Sequence, residues 1–320
     1  MASEEITSRG ERVALLFFHE GFSPYLPFVV WQARKSNPSA RILLLGDRRN
    51  RMKGIDYEHH LDPGLSVRRK EFLSLYRHFH PGNLEDERRC IERWIRLADF
   101  LKTQELREFL FLDSDMLLFE DVKSLLARWR GYDAAGAPLF YSFCHFFRSG
   151  LVEEFAEWIL EQYRNPKVME KWAGEFEDYL SPGGKCGSII QDMALADRFV
   201  QSKGVRILDV TRPANGKMVD SGKWGGSYMQ GRASTDRLCQ RAVGEKVRIR
   251  NSAEWLELSA VHVQGNDKSH IPGLTGWAFP IVCSFCRPNF RRNLKFLIKY
   301  AWNGGRFRRY LKKNEEVDIK

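Results

Sequence analysis

The chain has 320 residues, 43% of them hydrophobic, and a formal net charge of +10 at pH 7. This composition excludes a disordered chain and is sufficient for one large domain. The positive charge is confined to one segment, because residues 287–313 contain ten Lys or Arg and no acidic residue, whereas residues 1–286 are almost balanced. We therefore expect a domain over residues 1–286 and a separate basic, aromatic C-terminal segment over residues 287–320.

The sequence has no pattern typical of a secretory signal or a membrane span, since its longest late apolar run, residues 277–285, is far below the ~20 residues that a span requires. Its six cysteines are too sparse for a disulfide framework, which favours a reducing compartment. Cys283 and Cys286 have metal-like spacing, but without a second pair an incidental structural role is favoured. We expect a cytoplasmic protein, or one held peripherally on the inner face of a membrane.

The first part of the chain predicts a strand, a helix and a second strand. Residues 13–18 are uniformly apolar, as in strands that are covered on both faces, and residues 25–34 follow as an amphipathic helix. Asn37 and Pro38 end that helix, and residues 41–47 supply the next apolar strand, which ends in Gly-Asp. This order is typical of a βαβ unit.

Helical periodicity over residues 84–103 leads into another apolar strand over residues 109–112. The alternation predicts an α/β fold with a mostly parallel sheet flanked by helices, in which ligands collect at the carboxyl ends of the strands. Further helices are predicted over residues 151–164 and 188–199. Residues 211–235, rich in Gly, Ser and basic residues, are predicted to be a loop excursion.

Two carboxylates, Asp113 and Asp115, follow the strand over residues 109–112 directly. In extended backbone, residues two apart point to the same side, so both carboxylates can bind one hard cation while Ser114 points away. The alternative interpretation is a strand-end turn with solvated acidic residues.

A second polar group of residues follows the apolar stretch 255–261. His262, Gly265 and Lys268 supply an imidazole, a flexible backbone and a compact cation. A histidine added to carboxylates favours Mn²⁺ over Mg²⁺, and lysine with glycine suits a phosphate. These residues can instead be ordinary surface residues.

A third group, Gln191 and Asp192, precedes apolar residues with helical spacing. One interpretation is a polar helix start with Asp192 as a capping residue. The other is that both side chains contact a reacting sugar or an acceptor hydroxyl.

Three segments, LFLDSDMLLF, QDMAL and HVQGNDK, together with Tyr25 and Arg93, resemble family 8 of the nucleotide-sugar glycosyltransferases, which have the GT-A fold. The resemblance spans roughly residues 12–270 and implies retaining transfer from a nucleoside diphosphate sugar, with UDP as the expected nucleotide.

The family resemblance also implies a role for each matching residue. Asp113, Asp115 and His262 would bind Mn²⁺ or Mg²⁺, Lys268 would contact the diphosphate, and Gln191 with Asp192 would flank the transferred sugar. Tyr25, Arg93, Asp113 and Gly265 would also contribute to donor binding. Arg93 could orient carboxylates or neutralise phosphate, or be a helix-surface residue. The sequence departs from the family at Ile190, which occupies the first Asp of its DQD block.

The basic C-terminal segment predicts an amphipathic helix before Gly304 and Gly305, with apolar residues on one face and basic residues on another. Such a helix could bind an anionic membrane surface through residues 287–313, which would suit a saccharide or glycolipid acceptor, or it could pack on the domain. Nucleic acid is not expected as a partner, because no recognition fold accompanies the basic run.

Two other enzyme classes fit the sequence less well. A nucleotidyltransferase would have a glycine-rich basic loop directly after the first strand, and a dehalogenase-type phosphatase would have its acidic motif near that strand. The non-enzymatic alternative is a catalytically idle GT-A-like protein that binds a membrane or polyanion through its tail.

Overall fold

The computed structural model describes residues 13–262, except residues 63, 105, 107, 137–143, 182–188, 211, 213, 221–238, 242–246 and 251–254. Several sequence-based predictions therefore lie outside the described residues: the roles of Gly265 and Lys268, the Cys283 and Cys286 pair, and the basic segment over 287–320. The domain boundary at residue 286 stays a prediction for the same reason.

The strands of the described residues are β1 Ala14–His19, β2 Arg41–Gly46, β3 Glu58–Leu61, β4 Glu108–Asp113, β5 Met116–Leu118, β6 Ala134–Gly136, β7 Cys144–Arg148, β8 Ile207–Asp209, β9 Lys217–Asp220, β10 Cys239–Arg241, β11 Val247–Arg250 and β12 Trp255–His262. The α-helices are α1 Leu26–Ser36, α2 Val67–Leu75, α3 Leu84–Thr103, α4 Val122–Arg128, α5 Ser149–Arg164, α6 Pro166–Leu180 and α7 Asp192–Lys203. Within the described ranges, no helix combines the length and apolar character that crossing a bilayer requires.

The central sheet has the strand order β3-β2-β1-β4-β7. Strands β3, β2, β1 and β4 are parallel, and β7 joins the edge antiparallel to β4. Consecutive residues of β1 face opposite sides: Leu15 and Phe17 pack with α1, whereas Ala14 and Leu16 pack with α3, α5 and α7. The predicted fold, a mostly parallel sheet flanked by helices, is therefore confirmed.

A second sheet continues from the central one. Its order is β10-β11-β12-β5, with β9 pairing parallel to the other side of β12. Strand β4 ends at Asp113, the chain turns at Ser114 and Asp115, and β5 begins at Met116. The turn at Ser114 and Asp115 therefore connects the two sheets.

Two sequence-based predictions are corrected by the structure. Helix α7 begins at Asp192 and not at residue 188, because the backbone of Gln191 is extended (φ −132°, ψ 170°). Ile190, which continued the apolar pattern of the helix, is instead a core residue that precedes it. Within the predicted loop excursion over residues 211–235, residues 217–220 form strand β9 and Val219 is buried. The segment over residues 217–220 is short and has few apolar residues, so its hydrophobic periodicity does not predict a strand.

Candidate functional site

Three of the functional candidates meet at the junction of the two sheets. Asp113 is the last residue of β4, Asp115 directly precedes β5, and His262 is the last residue of β12. Because β12 runs antiparallel to β5, His262 lies opposite Met116, next to the turn. One ligand atom from each of Asp113, Asp115 and His262 lies within 4.8 Å of the others.

These three side chains have the chemistry of a divalent-cation site. His262 is buried, and its Nε2 lies 3.0 Å from Oδ1 of Asp115. Oxygen ligands surround divalent cations at about 2.0–2.6 Å, so two ligands of one ion are about 3–5 Å apart, and the ligand atoms of this cluster all lie within 4.8 Å of one another. Two carboxylates with one imidazole suit Mn²⁺ among such ions. The residues present therefore fit the cation that the sequence predicted.

Asp113 is in an environment that favours a neutralising partner. Burial, with the neighbouring charges of Asp115 and Asp192, raises the pKa of Asp113 to about 6, although Arg93 and His262 oppose this shift. A carboxylate so placed is costly to keep charged unless cations compensate it.

Ser114 points to a different partner from its two acidic neighbours. Its Oγ lies 2.8 Å from Nδ1 of His19, the last residue of β1. Since β1 is the strand beside β4, this contact ties the turn to the neighbouring strand end. This contact therefore helps to fix the turn that carries Asp113 and Asp115.

Arg93 joins two of the predicted site residues. Its Nη1 donates to Asp113 Oδ1 at 2.8 Å and its Nη2 donates to Asp192 Oδ2 at 2.7 Å. Burial alone would lower the pKa of Arg93, but the two carboxylates raise it, so the guanidinium stays charged. Arg93 is thus a largely buried residue paired with two carboxylates.

Asp192 contacts both the start of its own helix and Arg93. It is buried, it lies in the first turn of α7, and its Oδ1 accepts a hydrogen bond from Met193 N at 2.9 Å. Its other oxygen accepts from Arg93, as described above, so Asp192 has a local backbone contact and a link to the acidic pair. Gln191 is partly exposed beside it, at the N-cap of the helix.

Tyr25 packs against the last residue of β1. It is the N-cap residue of α1, only 9% exposed, and its ring packs edge-on to His19 with a centroid distance of 6.2 Å. His19 is also the residue whose Nδ1 contacts Ser114. The structure therefore places Tyr25 behind the strand end, in the core.

Sequence reasoning missed two residues of α3, Glu87 and Cys90, and one residue that precedes the helix, His80. The pKa of Cys90 is raised to about 12, first by burial and then by the charge of Asp192, and the pKa of Glu87 is raised by the same two causes. His80 Nδ1 lies 3.4 Å from Glu87 Oε1. The signal was available, because Glu87, Cys90 and Arg93 are spaced three apart on a predicted helix and so share a face.

No protein-family model and no curated protein matches this chain. Several solved structures similar to this chain are sugar transferases by name. Mouse xyloside xylosyltransferase 1, in the apo form, is 8% identical with a TM-score of 0.39, and the match covers 62% of this chain and 84% of that one.

Two other neighbours are similar at the same level. A putative nucleotide-diphospho-sugar transferase from Desulfovibrio desulfuricans G20 is 12% identical (TM-score 0.34), with 61% of this chain and 78% of that one covered. The galactosyltransferase LgtC, in complex with donor and acceptor sugar analogs, is 14% identical (TM-score 0.34), with 58% and 69% covered. At such identities and scores residue roles do not transfer, so the roles below rest on this chain's own geometry.

Proposed function

We propose that this protein is a metal-dependent glycosyltransferase with the GT-A fold. It would move a hexose-type sugar from a nucleoside diphosphate sugar to an acceptor hydroxyl. The observation that carries the proposal is the convergence of Asp113, Asp115 and His262 at the carboxyl end of β4, an interior strand of a mostly parallel sheet. Ligands of open α/β sheets bind at this edge.

Each residue of the cluster has a role in this proposal. Asp113, Asp115 and His262 would hold the divalent cation, which when bound supplies positive charge to the leaving diphosphate. Arg93 contacts both Asp113 and Asp192 and so fixes their relative positions. The diphosphate and the sugar of the donor would therefore bind in one orientation. Gln191 and Asp192 would flank the transferred sugar.

Three further residues complete the proposed donor site. Gly265 and Lys268 follow His262 by three and six residues. Lys268 would meet the diphosphate as a point charge, while Gly265 would let the backbone approach it. Tyr25 would act from behind the end of β1, through its contact with His19.

The donor, stereochemistry and acceptor follow from the resemblance to glycosyltransferase family 8. That resemblance implies UDP as the nucleotide, Mn²⁺ as the cation, retention of anomeric configuration, and a saccharide or lipid-linked saccharide as acceptor. Ile190 in place of the family's first acidic residue is buried, and its N–H donates to Phe79 O at 3.0 Å. Recognition of the donor's hydroxyls must therefore differ here.

The direct test is donor hydrolysis by the purified full-length protein with UDP-, GDP- and CMP-sugars in the presence of Mn²⁺. We expect turnover with one nucleotide class, lost on chelation and restored by added Mn²⁺. Calorimetry with UDP and Mn²⁺ provides the second measurement. Absence of metal-dependent UDP binding would favour the catalytically idle alternative, and absence of both binding and turnover would remove the proposal.

A separate proposal concerns the basic segment over residues 287–313, which we expect to bind an anionic membrane surface. The support is its charge, ten basic residues without an acidic one. Co-sedimentation with anionic and neutral vesicles would compare the full chain with a version ending at Cys286. Equal binding of both versions to anionic vesicles would exclude the segment as the membrane contact.

A further inference from the structure

A buried carboxylate outside the candidate site connects the elements that carry two of its ligands. Glu120 follows β5 and is only 9% exposed. Its carboxylate accepts hydrogen bonds from Arg128 at 2.5 and 3.0 Å, from Ser259 Oγ at 2.5 Å and from Lys217 Nζ at 3.0 Å. One side chain thus joins β5, the C-terminal end of α4, β9 and β12.

Burial would raise the pKa of Glu120, but the hydrogen bonds from Arg128, Ser259 and Lys217 hold it below its ordinary value. A buried, charged carboxylate with three different partners has little freedom to rotate, because each lost bond would leave a buried polar group unpaired. The cluster of Glu120, Arg128, Lys217 and Ser259 is therefore a rigid point in the second sheet.

Ser259 lies at an irregularity of strand β12. In the pairing with β9, Leu258 lies opposite Met218 and Ala260 lies opposite Val219, so that Ser259 has no opposite residue of its own. This is the arrangement of a β-bulge, in which one extra residue redirects the strand that follows. The carbonyl of Ser259 also accepts from Phe119 N at 2.9 Å and from Glu120 N at 3.2 Å.

The bulge lies three residues before His262. Because side chains of a strand alternate between its two faces, one residue more or less before His262 would exchange the face that its imidazole occupies. The register beyond the bulge, with Val261 opposite Leu117 and His262 opposite Met116, is the one that brings His262 to Asp115. The contacts that fix the position of Ser259 therefore also fix the position of His262 next to Asp115.

We propose that Glu120 and Ser259 are positioning residues that hold the bulge of β12 and thereby place His262 in the cation site with Asp113 and Asp115. This inference rests on the proposed function for the cation site, but it concerns residues that touch neither a cation nor a substrate. Residues that orient ligands from behind a metal site commonly change its affinity about 10- to 100-fold when they are altered.

The test is Mn²⁺ binding by the full-length protein, measured by electron paramagnetic resonance of free Mn²⁺, with and without UDP. We expect Glu120→Gln and Ser259→Ala to weaken Mn²⁺ binding about 10-fold or more. Ser259→Thr, which retains the hydroxyl, should restore most of the affinity. Circular dichroism and thermal unfolding would establish that each variant is folded at the temperature of measurement.

Glu153→Gln is the matched control. Glu153 also accepts from an arginine and a lysine, with Arg68 at 2.6 Å and Lys102 at 2.8 Å, but it lies on α5 away from the second sheet. We expect it to lower stability without changing Mn²⁺ affinity.

The outcomes separate this inference from the proposed function. If the wild-type protein binds no Mn²⁺ with or without UDP, the proposed cation site itself is wrong. If the wild type binds Mn²⁺ and both Glu120→Gln and Ser259→Ala bind it equally well, the positioning role is wrong while the cation site stands. An equal loss in Glu153→Gln would also overturn the positioning role, because it would show general destabilisation.

Discussion

Arg93 is the residue through which the acidic turn and the start of α7 are connected. A guanidinium is a planar fork with separate donors, and Arg93 uses one nitrogen for Asp113 and another for Asp192. Its side chain also lies over the rings of Trp94 and Phe111, at 5.3 and 5.8 Å from their centroids. Charge, geometry and packing thus fix it together.

We expect Arg93→Lys to leave the fold intact but to lower kcat for donor hydrolysis by roughly 100-fold, because one ammonium group cannot hold both carboxylates in position. Steady-state kinetics would separate the effect on kcat from that on KM. Arg198→Lys is the control, since Arg198 lies further along α7 than Asp192 and its ion pair, at 2.7 Å, is with Glu175 and not with Asp113 or Asp192. Unchanged kcat in Arg93→Lys would show that the fork is not needed for turnover.

We expect Asp115→Asn to abolish Mn²⁺-dependent donor hydrolysis, because it removes one negative ligand while keeping the side chain's shape. Turnover under chelator-controlled Mn²⁺ is the measurement. The matched control is Asp62→Asn, a similarly exposed carboxylate after β3 whose Oδ2 contacts Arg69 and Arg96 at 2.8 and 2.9 Å. Normal turnover in Asp115→Asn would contradict its role as a cation ligand.

At the scale of elements, the loops after β1 and β2 are locked together beside the site. Asp47 accepts from Gly21 N at 2.8 Å, and Asn50, only 1% exposed, donates to the His19 carbonyl. His59 Nε2 contacts Asn50 Oδ1 at 2.7 Å. Since His19 also holds Ser114, the packing of these loops is linked to the acidic turn.

Gly46 lets these loops approach each other. A Cβ at Gly46 would lie 2.5 Å from the His19 carbonyl oxygen and would overlap the Asn50 side chain. We therefore expect Gly46→Ala to lower the free energy of unfolding by about 1–3 kcal/mol. In Gly174→Ala, on α6, the added Cβ meets nothing within 4 Å, and we expect a gain of about 0.5–1 kcal/mol. Urea unfolding of both variants would measure the difference, and equal stabilities would contradict the clash.

At the scale of the whole molecule, the candidate cation site connects two sheets. Asp113 belongs to the central sheet, whereas His262 belongs to the second one. The turn at Ser114 and Asp115 connects the two sheets along the chain. A cation bound by all three ligands would therefore be a crosslink between the sheets. Its binding energy should appear as stability of the whole domain.

We expect Mn²⁺ with UDP, at about 100 times their dissociation constant, to stabilise the wild-type protein by about 2.7 kcal/mol, which corresponds to a rise in Tm of roughly 5–10 °C. Differential scanning calorimetry with and without a chelator would measure it. Asp115→Asn should show no such rise, and a rise of the same size in that variant would mean that the ions bind elsewhere.

The sequence by itself determined the elements whose apolar period is strong. The predicted helix over residues 84–103 has the bounds of α3, and the apolar runs before Gly46 and Asp113 are strands β2 and β4. These predictions succeeded because burial on one face of a helix, or on both faces of a strand, leaves a periodic record in the chain. The mostly parallel sheet followed from their alternation.

Only the tertiary structure decided which polar residues meet. His262 lies near Asp115 because β12 pairs antiparallel with β5, a contact across 147 residues for which no local pattern exists. The same holds for Arg93 between Asp113 and Asp192, and for Glu120 with Ser259 at the bulge. Strand pairing, register and bulges depend on contacts between distant segments, whereas periodicity reports only the burial of each segment by itself.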